Sequence, residues 1–156
     1  MLRAIGLSIL LMGSTVLGAQ HPFPLVPNAK LTPGSLCTPN SPDFEGYRYS
    51  QKIPYCRRSV TYEQKQIVYD AYRIPHGCRR NYTVDHLIPL SIGGSNQFEN
   101  LWPEHHRVKQ TRISFEDEIH MQVRDGQMSQ QSAVQLVYKV KLRPAINPKD
   151  AFSNCN

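Results

Sequence analysis

The spacing of apolar residues predicts a first helix that begins after Thr61. Thr61 and Gln64 have the spacing of a capping box, in which two side chains satisfy backbone groups of the first helical turn. Pro75 and Gly77 would end the helix, because both residue types interrupt a helical backbone. The apolar residues expected on its buried face are Ile67, Val68 and Ala71.

Two further helices are predicted in the C-terminal half. A long helix is expected after Pro103 and before Gly126, because apolar residues recur there close to multiples of a helical turn. A last helix is expected from about Ser129 to Lys141, before Pro144 opens an irregular tail. The apolar positions that define the long helix are Val108, Phe115, Ile119 and Val123, and those of the last helix are Ala133, Val134, Val137 and Val140.

Two strands joined by a loop are predicted between the first helix and the long helix. Residues 82–90 mix β-branched, aromatic and apolar side chains, which is typical of a strand. Gly93 and Gly94 break the chain before a second short apolar run at Leu101 and Trp102. The order strand, loop, strand, helix therefore predicts a single α+β domain, in which a small hairpin-plus-helix unit is flanked by additional helices.

The N-terminal residues have the layout of a secretory signal peptide. A basic start at Arg3 is followed by an apolar stretch and by small residues at Gly18 and Ala19. The alternative is an uncleaved membrane anchor, but the apolar run is short for a bilayer and is interrupted by glycine and serine. We expect a signal peptide over residues 1–19, a proline-rich extended arm over residues 20–42 and a globular domain over residues 43–156. The mature chain would then be secreted or periplasmic.

Four cysteines lie beyond the predicted signal peptide, and an even number in an exported chain favours two disulfides. A structural zinc site is the competing interpretation, but no two cysteines are two to four residues apart, as such sites usually require. The preferred pairing joins Cys37 to Cys56 and leaves Cys78 to hold the C-terminal tail through Cys155. The sequence alone does not decide between this and the other possible pairings.

The length and charge of the chain restrict its function only broadly. Its 156 residues are enough for one domain with a modest core. The formal net charge of +6 suits a polyanionic partner such as nucleic acid. Many exported proteins are mildly basic, so the charge favours this partner without establishing it. No second apolar run follows the first, so no other segment is expected to span a membrane.

The segment 82–106 carries several motifs at specific spacings. It combines an Asp85-His86 pair on the first strand, the apolar-Pro-Leu step from Ile88 to Leu90, the double glycine, and the run Asn100-Leu101-Trp102-Pro103 entering the helix. In these features the chain resembles the HNH endonucleases, also called ββα-metal or His-Me finger nucleases, in the form of an exported bacterial-type member. The strong resemblance covers about a sixth of the chain. It implies a core ββα motif at about residues 80–125 within a nuclease domain.

The resemblance implies a division of labour among the central residues. His86 would be the general base that takes a proton from the attacking water, since its pKa suits that task near neutrality. Asp85 would bind one divalent metal that stabilises charge on the leaving 3′ oxygen, provided that the strand is bent or bulged there. Oxygen ligation favours Mg²⁺ or Mn²⁺, and a histidine ligand would also admit Zn²⁺ or Ni²⁺. The Asn100 amide would bond to the loop backbone and fix the direction of His86.

The third position of the motif departs from the family pattern. It should come from the helix several residues after Asn100, but positions nearer the usual spacing are Val108 and Lys109, which are not typical metal ligands. His105 is the preferred ligand, and the alternatives are His106 and Gln110. With this departure, a site that binds metal weakly or has lost its activity is an alternative interpretation.

Four basic residues near the motif are candidates for substrate contact. Arg79 and Arg80 immediately precede the first strand, and Lys109 and Arg112 lie on the helix where phosphates would approach. Basic side chains position a nucleic acid backbone without reading its bases. For each of them, a solvated surface position is an equally good interpretation. Trp102 is expected to pack in the core rather than to stack on a base.

Two functions are compatible with these features. The first is a metal-dependent endonuclease that hydrolyses DNA, with RNA as an alternative substrate, and has little sequence preference, because no base-reading module is attached. The second is a catalytically degenerate HNH scaffold that binds nucleic acid or another polyanion. A purely structural role, in which Asp85 and His86 satisfy a core and Asn100 caps a helix, is weaker because all three coincide with the double glycine. No protein partner is evident.

Overall fold

A computed structural model describes residues 23–147 as two antiparallel β-hairpins and four α-helices. This mixture confirms the α+β class and the single domain. The predicted signal peptide and Cys155 lie outside the described residues. In residues 23–147, no helix has both the length and the apolar character needed to cross a membrane.

The first hairpin was not predicted from the sequence. Strand β1 (Phe44–Arg48) pairs with β2 (Ile53–Cys56) in antiparallel register, with an irregularity between Phe44 and Gly46. The turn between them uses left-handed backbone at Tyr49 (φ 63°) and Lys52 (φ 51°). Glycine or asparagine usually marks such positions, and this turn contains neither, so it carries no hairpin pattern.

The predicted disulfide between Cys37 and Cys56 is present, with the two Cα atoms 5.7 Å apart. It joins the proline-rich segment to the end of β2. Within residues 23–147 it is the one disulfide described in full, so the expectation of two is borne out only in part. Cys78 is buried and is not a free thiol, but Cys155 lies outside the described residues, so that pairing stays a prediction.

The proline-rich segment is irregular, as predicted, but residues 23–42 lie against the domain rather than extending from it. Thr32 is completely buried, and its Oγ1 donates a hydrogen bond to the Leu101 carbonyl at 2.7 Å. Phe23 and Leu25 pack against the cluster around Trp102. The segment therefore covers the second hairpin and contributes to its burial.

Helix α1 (Tyr62–Ala71) begins with the predicted capping box. Thr61 Oγ1 accepts a hydrogen bond from the Gln64 backbone N–H at 3.3 Å, and Gln64 Oε1 accepts one from the Thr61 N–H at 2.8 Å. The buried face is rotated relative to the prediction, because Tyr69 is buried and Ile67 is 57% exposed.

The second hairpin consists of β3 (Tyr82–His86) and β4 (Leu101–His105). β3 ends earlier than predicted, before a buried loop that includes a 3₁₀ turn at Leu90–Ile92. The pairing runs regularly from Tyr82 opposite His105 to His86 opposite Leu101. The bend or bulge expected at Asp85 is therefore not present in the ladder, and alternation directs the side chains of positions 85 and 86 to opposite faces.

The predicted long helix is divided in two, α2 (His106–Gln110) and α3 (Phe115–Arg124). The hydroxyl of Thr111 donates a hydrogen bond to the Val108 carbonyl at 2.7 Å. A local side-chain bond of this kind bends a helical backbone, and residues 111–114 form a turn here. The predicted apolar positions still face the core: Val108, Ile119 and Val123 are buried, and Phe115 is partly buried.

Helix α4 (Gln130–Lys141) matches the predicted last helix, and Ser129 caps its first turn. It packs with α3 and the buried loop around one apolar core. The buried members of that core are Ile53, Leu87, Ile88, Ile92, Ile119, Val123, Ala133 and Val137.

Replacing both Cys37 and Cys56 by Ser should lower the free energy of unfolding by about 3 kcal/mol, because the disulfide closes a loop of 19 residues and restricts the unfolded chain. Urea unfolding of the double variant beside the parent and a Thr38→Ser control measures the difference. A loss below about 1 kcal/mol would show that other contacts hold the first hairpin to the domain.

Candidate functional site

The connection from Leu87 to Asn100 is unusual because most of its residues are buried. A buried loop needs partners for its own backbone N–H and C=O groups. The Asn100 side chain provides three of them: Oδ1 accepts from the Ile88 N–H at 2.9 Å, and Nδ2 donates to the carbonyls of Ile88 and Ser95 at 2.9 and 2.8 Å. One amide therefore joins the two ends of the loop.

The double glycine allows the loop to close tightly. A Cβ at position 94 would lie 1.9 Å from the Ile88 carbonyl oxygen, so Gly94 cannot carry a side chain without a shift of the backbone. Gly93 adopts φ +91°, a left-handed conformation that other residues rarely take. Gly93 is required both by its conformation and by the close approach of Ile53, whereas Gly94 is required by close approach.

The imidazole of His86 is held by Asn96, a residue that sequence reasoning missed. His86 Nε2 and Asn96 Oδ1 are 3.0 Å apart. The Nδ2 of Asn96 donates to the Asp43 carboxylate and to the Arg57 carbonyl. Because both amide donors are used there, Oδ1 is the atom that faces His86, and Nε2 must carry the hydrogen. Nδ1 of His86 therefore carries the lone pair.

The lone-pair nitrogen of His86 has no hydrogen-bond partner among the described residues, although the residue is only 2% exposed. Burial lowers the pKa of His86 to about 4, the bond to Asn96 raises it in part, and the charge of Arg58 lowers it further. The ring is therefore neutral near neutral pH with an unprotonated nitrogen, as a general base requires, but its pKa lies below the near-neutral value expected from the sequence, which makes it a weaker base. Arg58 is exposed and close enough for its charge to act on the ring.

Two buried carboxylates lie together on the opposite face of the hairpin. Asp85 pairs with Trp102, and Glu104 stands two residues further along β4, so both point to the same side. Burial raises the pKa of Glu104 to about 7, and the hydrogen bond to Asp85 adds to the rise. Burial also acts to raise the pKa of Asp85, but Lys141, Glu104 and Lys109 outweigh it and hold that pKa below its usual range. The two pKa values are shifted in opposite directions, so Asp85 is the stronger acid of the pair.

Lys141 is completely buried at the end of α4. Its Nζ donates to the His86 carbonyl at 2.7 Å and to the Glu116 carboxylate, and it lies 3.7 Å from Asp85 Oδ2. A buried ammonium group is tolerated only with such compensation. Lys141 thereby connects the ends of α3 and α4 to the strand that carries Asp85 and His86.

Two further cations complete the charge balance. Lys109 Nζ lies 3.4 Å from Asp85 Oδ2 and 3.9 Å from Glu104 Oε2. The guanidinium of Arg112 donates to Glu104 Oε1 through both Nε, at 3.1 Å, and Nη2, and it lies near the Trp102 ring. The carboxylates on this face are therefore already matched by basic side chains.

The structure does not bring the preferred third ligand to Asp85. His105 Nδ1 accepts a hydrogen bond from the Arg107 backbone N–H at 3.1 Å, which caps α2, and its ring meets the edge of Tyr82 with centroids 4.9 Å apart. Strand alternation directs His105 to the face opposite Glu104. The two alternatives, His106 and Gln110, are exposed on α2.

A divalent ion does not fit this arrangement of side chains. Among residues 23–147, no group of three or more His, Cys, Asp and Glu side chains could hold a metal. An ion at Asp85 would also approach the ammonium groups of Lys109 and Lys141, which repel it. The Mg²⁺ or Mn²⁺ implied by the resemblance, and the Zn²⁺ or Ni²⁺ that a histidine ligand would admit, stay predictions for which these residues offer no ligand set.

The basic residues predicted to contact substrate differ in their surroundings. Arg79 donates to the Ile74 carbonyl at 3.3 Å and to side chains of α1, and Arg112 is held by Glu104. Arg80 is exposed, and the Lys109 side chain is 48% exposed. Lys109 and Arg80 are therefore the two of the four that remain available to a phosphate, and their contact with substrate stays a prediction.

Lys141 could have been found from the sequence, because it follows Ala133 and Val137 at intervals of four and continues their buried stripe. No comparable spacing of residues in the sequence identifies Asn96 or Asp43. Asp43 is separated from Asn96 by 53 positions and reaches it only through the unpredicted first hairpin.

No family model, no curated protein and no solved structure matches this chain. The likeness to the HNH endonucleases therefore depends on the motifs in residues 82–106, and membership of that family stays a prediction.

Asn100→Ala should lower the free energy of unfolding by about 3 kcal/mol or more, because it leaves three buried backbone groups without their partner. Urea unfolding measures the loss, with the exposed loop residue Gln97 changed to Ala as the matched control. A loss equal to that of the control would mean that the amide does not hold the loop.

The His86 ring should stay neutral, with hydrogen on Nε2, from about pH 8 to about pH 5, because burial holds its pKa near 4. Long-range ¹H–¹⁵N spectra of the folded protein report both the tautomer and the titration. A titration midpoint near the ordinary value of 6.5, or hydrogen on Nδ1, would contradict the network described above.

Proposed function

We propose that this protein cleaves phosphodiester bonds of nucleic acid, with His86 as the general base. The observation that supports this most directly is the free, buried Nδ1 of a neutral imidazole whose other nitrogen is bound to Asn96. Leaving a buried polar atom without a partner costs about 1–3 kcal/mol, and such atoms call for an explanation beyond stability. A nitrogen reserved for a proton transfer provides that explanation.

The charge of the chain supports nucleic acid as the substrate. The formal net charge is +6, and Arg58, Arg80 and Lys109 present exposed basic groups. Such groups bind the phosphate backbone without selecting a sequence. We also propose that the protein acts outside the cytoplasm, because the Cys37–Cys56 disulfide is of a type that persists in oxidising compartments.

The proposed reaction begins with the transfer of a hydroxyl proton to His86 Nδ1. The resulting imidazolium is stabilised through its Nε2–H, which donates to Asn96 Oδ1. Asn96 is in turn oriented by the Asp43 carboxylate, so Asn96 and Asp43 are positioning residues rather than reacting ones. His86 is only 2% exposed. The side chains around the ring therefore have to move before a substrate hydroxyl can reach Nδ1.

A binding module without activity is the second candidate. It is favoured by the same burial of His86 and by the pairing of Asp85 with two lysines, which leaves this carboxylate no need of a metal. In this alternative the exposed basic residues would hold nucleic acid, and the imidazole would have no role in chemistry.

Incubation of the oxidised protein with plasmid DNA and with RNA tests the proposal. The protein is assayed in EDTA and after addition of Mg²⁺, Mn²⁺ or Zn²⁺. We expect cleavage under at least one of these conditions, and a loss of about 100-fold or more in His86→Gln, with nucleic acid binding retained. Glutamine can still donate to Asn96, so the variant should keep the fold.

The control is His76→Gln, which changes an exposed histidine and should leave cleavage unaltered. Absence of cleavage by the folded wild-type protein under every condition, together with nucleic acid binding, would establish the second candidate. Equal cleavage by wild type and His86→Gln would remove His86 from the reaction.

A further inference from the structure

The first hairpin presents an aromatic surface to solvent. Tyr47 is 58% exposed, and its ring meets the ring of Phe44 edge to face, with the centroids 5.4 Å apart. Pro54 lies directly opposite Tyr47 in the neighbouring strand, and paired positions share one face of a sheet. Phe44, Tyr47 and Pro54 therefore form one apolar surface that is partly open to solvent, which we call the aromatic face.

An irregularity in β1 brings the two rings together. Positions 44 and 47 of a regular strand would point to opposite faces of the sheet. Here the register shifts between Phe44 and Gly46, and Gly46 adopts φ +122°, a conformation that side chains rarely allow. Bulges of this kind redirect side chains and recur next to functional sites. The aromatic face is therefore built by the backbone and is more than one exposed tyrosine.

The aromatic face is continuous with the residues that hold His86. Asp43, which directly precedes Phe44, accepts a hydrogen bond from Asn96, and Asn96 Oδ1 lies 3.0 Å from His86 Nε2. Tyr47 follows Asp43 by four positions, which in a strand is a separation of at most about 13 Å. A few nucleotides of an extended strand can therefore reach from His86 to the aromatic face.

The charge of the hairpin and its flanks suits a polyanion. The basic residues between positions 43 and 58 are Arg48, Lys52, Arg57 and Arg58, and the acidic ones are Asp43 and Glu45. The Arg57 carbonyl accepts a hydrogen bond from Asn96 at 2.7 Å, and the exposed side chain of Arg58 follows it directly. Exposed aromatic rings beside basic groups are the combination with which proteins bind single-stranded nucleic acid.

We propose that the aromatic face stacks on an unpaired base of a single-stranded nucleic acid bound at the His86 site. This inference rests on nucleic acid as the partner in the proposed function, but not on proton transfer by His86. The bases of a duplex stack on one another and offer no face to Tyr47, so a single strand is preferred. Every base has a π-face, so stacking accounts for binding without selection of a sequence.

The test is the binding of an end-labelled, single-stranded oligonucleotide to oxidised protein that carries His86→Gln, so that the oligonucleotide stays intact. We expect tighter binding of the single strand than of its duplex. Adding Tyr47→Ala should lower the affinity for the single strand about 10-fold, which is the contribution of one stacked base. A strand of the same length without bases should bind both chains equally. Tyr62→Ala, which removes another exposed tyrosine, should change nothing.

Tyr47→Trp separates stacking from a structural role. Tryptophan keeps a surface for stacking, so the affinity should be retained. Its added fluorescence should be quenched as the single strand saturates the protein and should stay unchanged with the strand that lacks bases. Circular dichroism confirms that each variant is folded.

Equal affinity with and without Tyr47→Ala, an equal loss on the strand without bases, or tighter binding of the duplex would overturn this inference and leave the proposed function standing. Absence of both binding and cleavage of any nucleic acid would overturn both. Binding that depends on Tyr47, in a wild-type protein that cleaves neither DNA nor RNA, would support the aromatic face and contradict the role of His86.

Discussion

The fold around the candidate site depends on the hydrogen bonding of one buried loop. Most residues between β3 and β4 are buried, where water cannot satisfy their backbone, and the Asn100 amide supplies three of the bonds they need. With the loop closed in this way, Gly94 lies against Ile88 and Asn96 comes to His86. The orientation of the imidazole is therefore a consequence of how the loop satisfies its own polar groups.

Charge compensation imposes a second constraint on the same strand. Asp85 and Glu104 are buried, and each is stabilised by basic side chains that follow the hairpin in sequence, from α2, from the turn before α3 and from α4. Lys141 also donates to the His86 carbonyl, so the end of α4 fixes the strand on which the base is placed. The apolar contacts of α3 and α4 hold these cations in position, which links the core of the domain to the electrostatics of the site.

The elements that could be predicted from the sequence are those specified by residues close together in the chain. The capping box at Thr61, the second hairpin and the last helix follow from side chains close together in sequence. The first hairpin could not be predicted, since its turn has neither glycine nor asparagine, and the turn that separates α2 from α3 at residues 111–114 has no glycine or proline to mark it. The partnership of Asp43 with Asn96 is a long-range contact that no local pattern contains, whereas the buried stripe that ends at Lys141 was present in the sequence.

The most direct test of this account is whether nucleic acid reaches His86. Histidine-labelled protein in EDTA is titrated with a nucleic acid oligonucleotide while the imidazole ¹⁵N resonances are followed. The account predicts that the Nδ1 resonance of His86 shifts as binding saturates and that the resonances of exposed His76 stay in place. Saturable binding that leaves the His86 resonances unchanged would contradict it.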